Sequence, residues 1–189
     1  MGPGINELLR RNIKYLYIKI PIEVFEGLFF LLLLGAIVIF TYYGRKQGWR
    51  KFVWLLFSEY VMFIFFSTVI LRKVKECACY NFVPFWSYEA IRNGQEILIA
   101  QNIMNIVVFV PLGVLLGCAI RNMAWWKVLM IGCGISISIE VLQYFLKRGT
   151  AEVDDVMHNT LGCVIGYGIY MMVASARKAL SSKRRISGL

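Results

Sequence analysis

Five stretches of this chain, at 24–43, 52–71, 102–120, 125–146 and 154–174, are each long and apolar enough to cross the hydrocarbon core of a bilayer. At about 1.5 Å of rise per residue, twenty helical residues cover about 30 Å, and a spanning segment must satisfy its own backbone, so each reads as an α-helix. Composition agrees: 59% of the 189 residues are hydrophobic and 17% charged, with a mean hydropathy of +0.63. Soluble domains carry about a quarter charged residues. The expected fold is all-α, a polytopic membrane helix bundle, and a large soluble catalytic domain is excluded.

Residues 1–23 follow a different pattern. Ile5, Leu8, Leu9, Ile13, Leu16 and Ile20 fall on one helical stripe and Arg10, Arg11 and Lys14 on the other, as in an amphipathic helix lying in the membrane interface. Charges interrupt its apolar residues and no small-residue cleavage site follows, so it is not read as a signal peptide. The expected organisation is this interfacial segment, two spans within 24–76, three more within 77–174 after a long loop, and a basic tail at 175–189. The net charge of +10 comes from short clusters between apolar runs, which mark membrane loops, and no nucleic-acid partner is expected. With five spans, ten Lys and Arg fall on one face and eleven on the other, so charge alone sets no orientation. Cys118, Cys133 and Cys163 lie in apolar runs, and Cys77 and Cys79 form a lone C-x-C in the long loop, so no disulfide framework is expected.

The scarce polar residues carry the functional information. Asn102 and Asn105 open the third span; Glu140 and Gln143 share a face near the end of the fourth, with Lys147 and Arg148 beyond; Asp154, Asp155, His158 and Asn159 open the fifth. Consecutive spans alternate direction, so these three clusters meet at one membrane face. Asp155, Asn159, Gly162 and Gly166 form one stripe on the fifth helix. Its G-x-x-x-G, and that of Gly113 and Gly117 on the third, should draw the helices together below the cluster and leave a cup open to the interface. Glu140 lies six residues, or about 9 Å, inside its span, a depth at which an ionisable group is costly.

These residues are where the chain resembles the VanZ-like family of small membrane proteins, named for a teicoplanin-resistance determinant. The resemblance covers 81–167 and is carried by NFVPF, NIMNIVVFVPLG, SIEVLQ and KRGTAEVDDVMHNTLGCVIGY. The family's polar pattern falls on Asn81, Pro84, Asn102, Asn105, Glu140, Gln143, Arg148, Asp154, Asp155 and Asn159, with Pro111, Gly113, Gly162 and Gly166 as structural positions. The first span and the amino-terminal helix look like additions to a four-span core. The resemblance implies a multi-pass cell-membrane protein that reduces susceptibility to teicoplanin-type glycopeptides. Because such antibiotics bind cell-wall precursors outside the cell, it favours an outward polar face and a cytoplasmic carboxyl terminus.

Residue chemistry then suggests a pocket for the phosphate-bearing head of a lipid or lipid-linked cell-wall precursor. Arg148 would neutralise phosphate, with Asn81, Asn102, Asn105, Gln143 and Asn159 orienting the head. Glu140, Asp155 and His158 are the candidate acids and bases, and Asp154 with Asp155 could hold a divalent cation such as Mg. A single histidine excludes a His-based metal site, and no activated nucleophile is evident. Two uses stay open at this stage: a membrane-embedded enzyme acting on a lipid-linked phosphate, or a non-enzymatic binding or scaffold protein whose cluster is a structural ion network.

Overall fold

A computed structural model of the chain describes residues 49–120 and 123–187. The amphipathic segment 1–23, the span at 24–43 and Arg121 lie outside the described residues. The described residues belong to one compact unit. In chain order they form α1 (Trp49–Phe65) ending in a π-helical turn (Phe66–Ile70), β1 (Cys79–Asn81), α2 (Trp86–Arg92), α3 (Ile97–Ala119), α4 (Trp125–Phe145), β2 (Thr150–Glu152) and α5 (Val153–Ser187). Four helices among them are long and apolar enough to cross a membrane: Trp49–Ile70, Ile97–Ala119, Trp125–Phe145 and Val153–Leu180. The protein is a membrane protein. The helix of α5 continues through the basic tail to Ser187, because Ala, Arg, Lys and Leu favour helix and no Gly or Pro interrupts 169–187.

The tightest packing is between α3 and α5, and small residues make it possible. A Cβ at Gly162 would strike the Ile106 carbonyl, one at Gly166 the Val110 carbonyl, and one at Gly113 the Cys163 carbonyl. The two backbones therefore meet with no side chain between them, the expected use of small-xxx-small spacing in a membrane. At Gly117 the space is filled by the ring of Tyr170, and at Gly132 on α4 by Cys163. Around these contacts Phe109, Leu112, Leu116, Val128 and Ile139 form a buried core with Ile64 and Val69 of α1. Pro111 inside α3 leaves a carbonyl of the preceding turn without its helical donor. Close to that gap the Tyr60 hydroxyl of α1 donates to the Val108 carbonyl at 2.8 Å.

The long loop is built rather than loose. β1 and β2 pair in parallel, with Cys79 opposite Thr150, Tyr80 opposite Ala151 and Asn81 opposite Glu152. The Lys75 N–H extends the pairing to the Lys147 carbonyl at 2.7 Å. This ribbon satisfies backbone groups of two segments that would otherwise cross the mouth of the bundle unpaired. It folds the loop against the ends of α4 and α5.

Candidate functional site

Asp154 fixes the loop that follows β1. It is 1% exposed and accepts three hydrogen bonds: from Phe85 N at 2.6 Å, Ser87 N at 2.9 Å and Ser87 Oγ at 2.6 Å. Phe85 has φ of 64°, the left-handed region that a bulky residue adopts only when its surroundings hold it there. Asn102 of α3 joins the same group by donating to Ser87 Oγ at 3.1 Å. Asn81 accepts from Val83 N at 3.1 Å through its side-chain oxygen and so turns the chain locally. Thus NFVPFWS is a folded loop pinned to the start of α5.

Arg148 and Gln143 serve the end of α1. The Arg148 guanidinium donates to the Ile70 carbonyl and, at 3.3 Å, to the Arg72 carbonyl; Gln143 Nε2 donates to the Thr68 carbonyl at 3.1 Å. The last carbonyls of a helix lack intrahelical donors, and a cation placed there also opposes the helix dipole. Gly149, at φ of 129°, completes this corner: a Cβ there would lie 2.8 Å from Arg72 Nη1 and 3.1 Å from Gln143 Oε1. Asn159 Nδ2 donates to Ser136 Oγ at 2.8 Å and ties α5 to α4. His158, 3% exposed, pairs through Nε2 with the Tyr88 hydroxyl at 2.7 Å.

A cavity of about 690 Å³ opens where α3 and α5 begin, beside the end of α1. Arg72, Lys73 and Lys75 line it together with Asn102, Asn105 and Asp155 of the two helices and Thr150 and Glu152 of β2. Asn105 Nδ2 donates to Asp155 Oδ1 at 2.6 Å, and Lys75 Nζ donates to Thr150 Oγ1 at 2.7 Å. Glu140 Oε2 accepts from the Glu152 N–H at 3.0 Å, so the buried carboxylate of α4 holds the end of β2. Glu152 itself is half-buried, and burial pushes its carboxyl up to about 7. The negative charge of Asp155 adds to the rise, whereas Arg72 and the neighbouring Trp86 indole N–H, which forms no well-aligned bond to it, act the other way.

The matched family model is described as VanZ/LLP1 and covers residues 29–174. The chain belongs to the VanZ/LLP1 family. Protein VanZ of Enterococcus faecium is 27% identical to it over 90 residues, which are 48% of this chain and 51% of the relative. The chain therefore spans about half the length of the curated relative it matches. No solved structure matches it. The family model extends well before the stretch 81–167 that carries the motifs, into the first apolar run.

In this VanZ/LLP1 member the candidate residues fall into two groups. Asp154, Asn159, Gln143 and Arg148 hold elements together, the Asn81 side chain shapes a local turn, and His158 is bound to Tyr88, outside the cavity lining. Asn102, Asn105 and Asp155 line the cavity, while Glu140 reaches it only through the backbone of Glu152. Both oxygens of Asp154 are occupied by protein donors, and among the described residues no three His, Cys, Asp or Glu side chains group as metal ligands. That donor set does not fit a divalent cation held between Asp154 and Asp155. The cavity cations Arg72, Lys73 and Lys75, and Glu152, do not stand out as site residues in the sequence. The available signal was the spacing R-K-x-K directly after a span, in the loop that must return to the same face.

Proposed function

We propose that the cavity receives the phosphate-bearing head of a membrane lipid or lipid-linked cell-wall precursor, and that through this binding the protein lowers susceptibility to teicoplanin-type glycopeptides. The observation that carries the reading is the trio Arg72, Lys73 and Lys75 in the lining of a cavity whose volume lies within the range of small-molecule sites. Ammonium and guanidinium donors facing one space suit phosphate oxygens, and Asn102, Asn105 and Thr150 supply neutral polar groups beside them. The proposed facing puts this cavity outside the cell and the end of α5 in the cytoplasm. Family membership supports the biological direction of the proposal, since the family takes its name from a teicoplanin-resistance determinant.

The binding reading is favoured over a purely structural network because Asp154, Asn159 and Arg148, which tie elements together, are absent from the cavity lining, whereas Arg72, Lys73, Lys75 and Asp155 border one cavity even though Lys75 also bonds Thr150 and Asp155 also bonds Asn105. Susceptibility assays in a teicoplanin-sensitive host test the proposal. Arg72→Gln with Lys75→Gln, and separately Asp155→Asn, should abolish any resistance conferred by the wild-type protein while membrane abundance stays at the wild-type level. Resistance retained in both variants would contradict it.

A further inference from the structure

Beside the polar cavity lies a second depression of about 410 Å³, and the two share Glu152. Its lining is mostly apolar: Ile137, Val141 and Phe145 of α4, Ala151 of β2, Val156 of α5, and Tyr80 and Phe82 from the loop. The three α4 residues recur every four positions and so form one stripe down a spanning helix, about 12 Å long at 1.5 Å per residue. That stripe starts at the mouth of the bundle and runs into the depth of the bilayer. Ile137 is 48%, Val141 45% and Phe145 74% exposed, so the stripe is open. Tyr80 stacks on Phe82 at 4.9 Å and meets Tyr144 edge-on at 6.0 Å between ring centroids, which builds an aromatic clasp over the entrance.

We infer that this groove holds the hydrocarbon chain of the same amphiphile whose phosphate occupies the cavity, so that the bound lipid straddles Glu152. The inference rests on the head-group reading above and adds the class of ligand: an anionic head joined to an alkyl or isoprenoid chain, rather than a soluble phosphate. Continuity is the first reason, since Glu152 borders both spaces. Complementarity is the second. Cations lie on the head side, the chain side is lined by apolar and aromatic residues apart from the carboxyl groups of the largely buried Glu140 and of Glu152, and the groove follows the direction a lipid chain takes from an interfacial head.

The test uses the full-length protein in phosphatidylcholine nanodiscs with a phosphatidic acid carrying a diazirine in its acyl chain. Crosslinks should concentrate on residues 137–145 and 80–82, and Val141→Trp, which fills the groove from its open side, should reduce them at least fivefold. Crosslinks spread evenly over other lipid-facing positions such as Met62, Val107 and Met172, or unchanged in a folded Val141→Trp protein, would overturn the inference. A parallel measurement keeps the head-group reading separate. Water-soluble dibutyryl phosphatidic acid should bind wild-type and Val141→Trp proteins equally, within a factor of two. Soluble binding with diffuse crosslinks overturns the groove assignment alone. Absence of soluble binding, with groove crosslinks insensitive to Arg72→Gln and Lys75→Gln, overturns the head-group reading and with it the identity of the ligand.

Discussion

Asp154 and Asp155 are neighbours in the chain and opposites in the fold: Asp154 is enclosed by Phe85 and Ser87 donors, while Asp155 takes one bond from Asn105 and borders the cavity. The difference separates stability from function. Asp154→Ala leaves three donors without an acceptor at a fully buried point, at a cost on the order of 3 kcal/mol. It should lower membrane abundance and melting temperature together. Asp155→Asn keeps the shape and can still accept from Asn105, so it should leave both nearly unchanged while activity is lost. Equal destabilisation by the two changes would contradict this division.

The glycines of α5 give a second contrast. At Gly162 and Gly166 a methyl group would overlap carbonyls of α3, whereas at Gly168 nothing lies within 4 Å of the added atom. Gly162→Ala and Gly166→Ala should each destabilise by about 1–3 kcal/mol or more through overpacking. Gly168→Ala should be neutral or slightly stabilising, as expected for Ala in place of Gly in a helix. Folded yield after detergent extraction at increasing temperature distinguishes them.

Glu152 predicts a pH dependence. Burial and the nearby Asp155 raise its carboxyl from the ordinary 4.5 to about 7, so the folded protein keeps a proton that the unfolded chain releases between those values. Stability from this group is therefore lost as pH rises from about 4.5 to about 7, and is level beyond. Above about 7 its negative charge also opposes an anionic head, so binding of a phosphodiester probe, which does not titrate in this range, should weaken as pH passes through that value. Glu152→Gln should flatten both profiles; an unchanged slope in the variant would assign it to another group.

Topology can be read with a native side chain. Cys77 is exposed and lies in the loop that carries the cavity cations. In a Cys79→Ser protein, a membrane-impermeant maleimide should label Cys77 in intact cells. Labelling only after the inner face is opened would reverse the proposed facing.

Much of the bundle is legible in the sequence because a bilayer tolerates few solutions. Long apolar runs and the glycine stripes at 113, 117, 162 and 166 follow directly from that constraint, and the helix ends lie within about five residues of the expected ones except at the end of α5, which runs on through the basic tail to Ser187. The ribbon of β1 and β2 is not legible in that way. Three-residue strands carry no periodicity, and their pairing depends on a Lys75–Lys147 register set by the surrounding helices. The convergence of Asn105, Glu140 and Asp155 at one face follows from alternating span direction. Which side chains face the cavity does not, because Arg148 and Arg72 have the same chemistry and only the fold commits one to the carbonyls of α1 and the other to the open space.

The central claim is that cations of the cavity bind a phosphate-bearing head, and equilibrium binding of dibutyryl phosphatidic acid to the full-length protein in nanodiscs tests it most directly. A hydrogen bond to a charged group contributes about 1.5–3 kcal/mol, and about 1.4 kcal/mol is tenfold in affinity. Arg72→Gln with Lys75→Gln should therefore weaken binding by at least tenfold, with weaker salt dependence and an unchanged melting temperature. Binding of equal strength in the variant, or none to the wild-type protein, would contradict the claim.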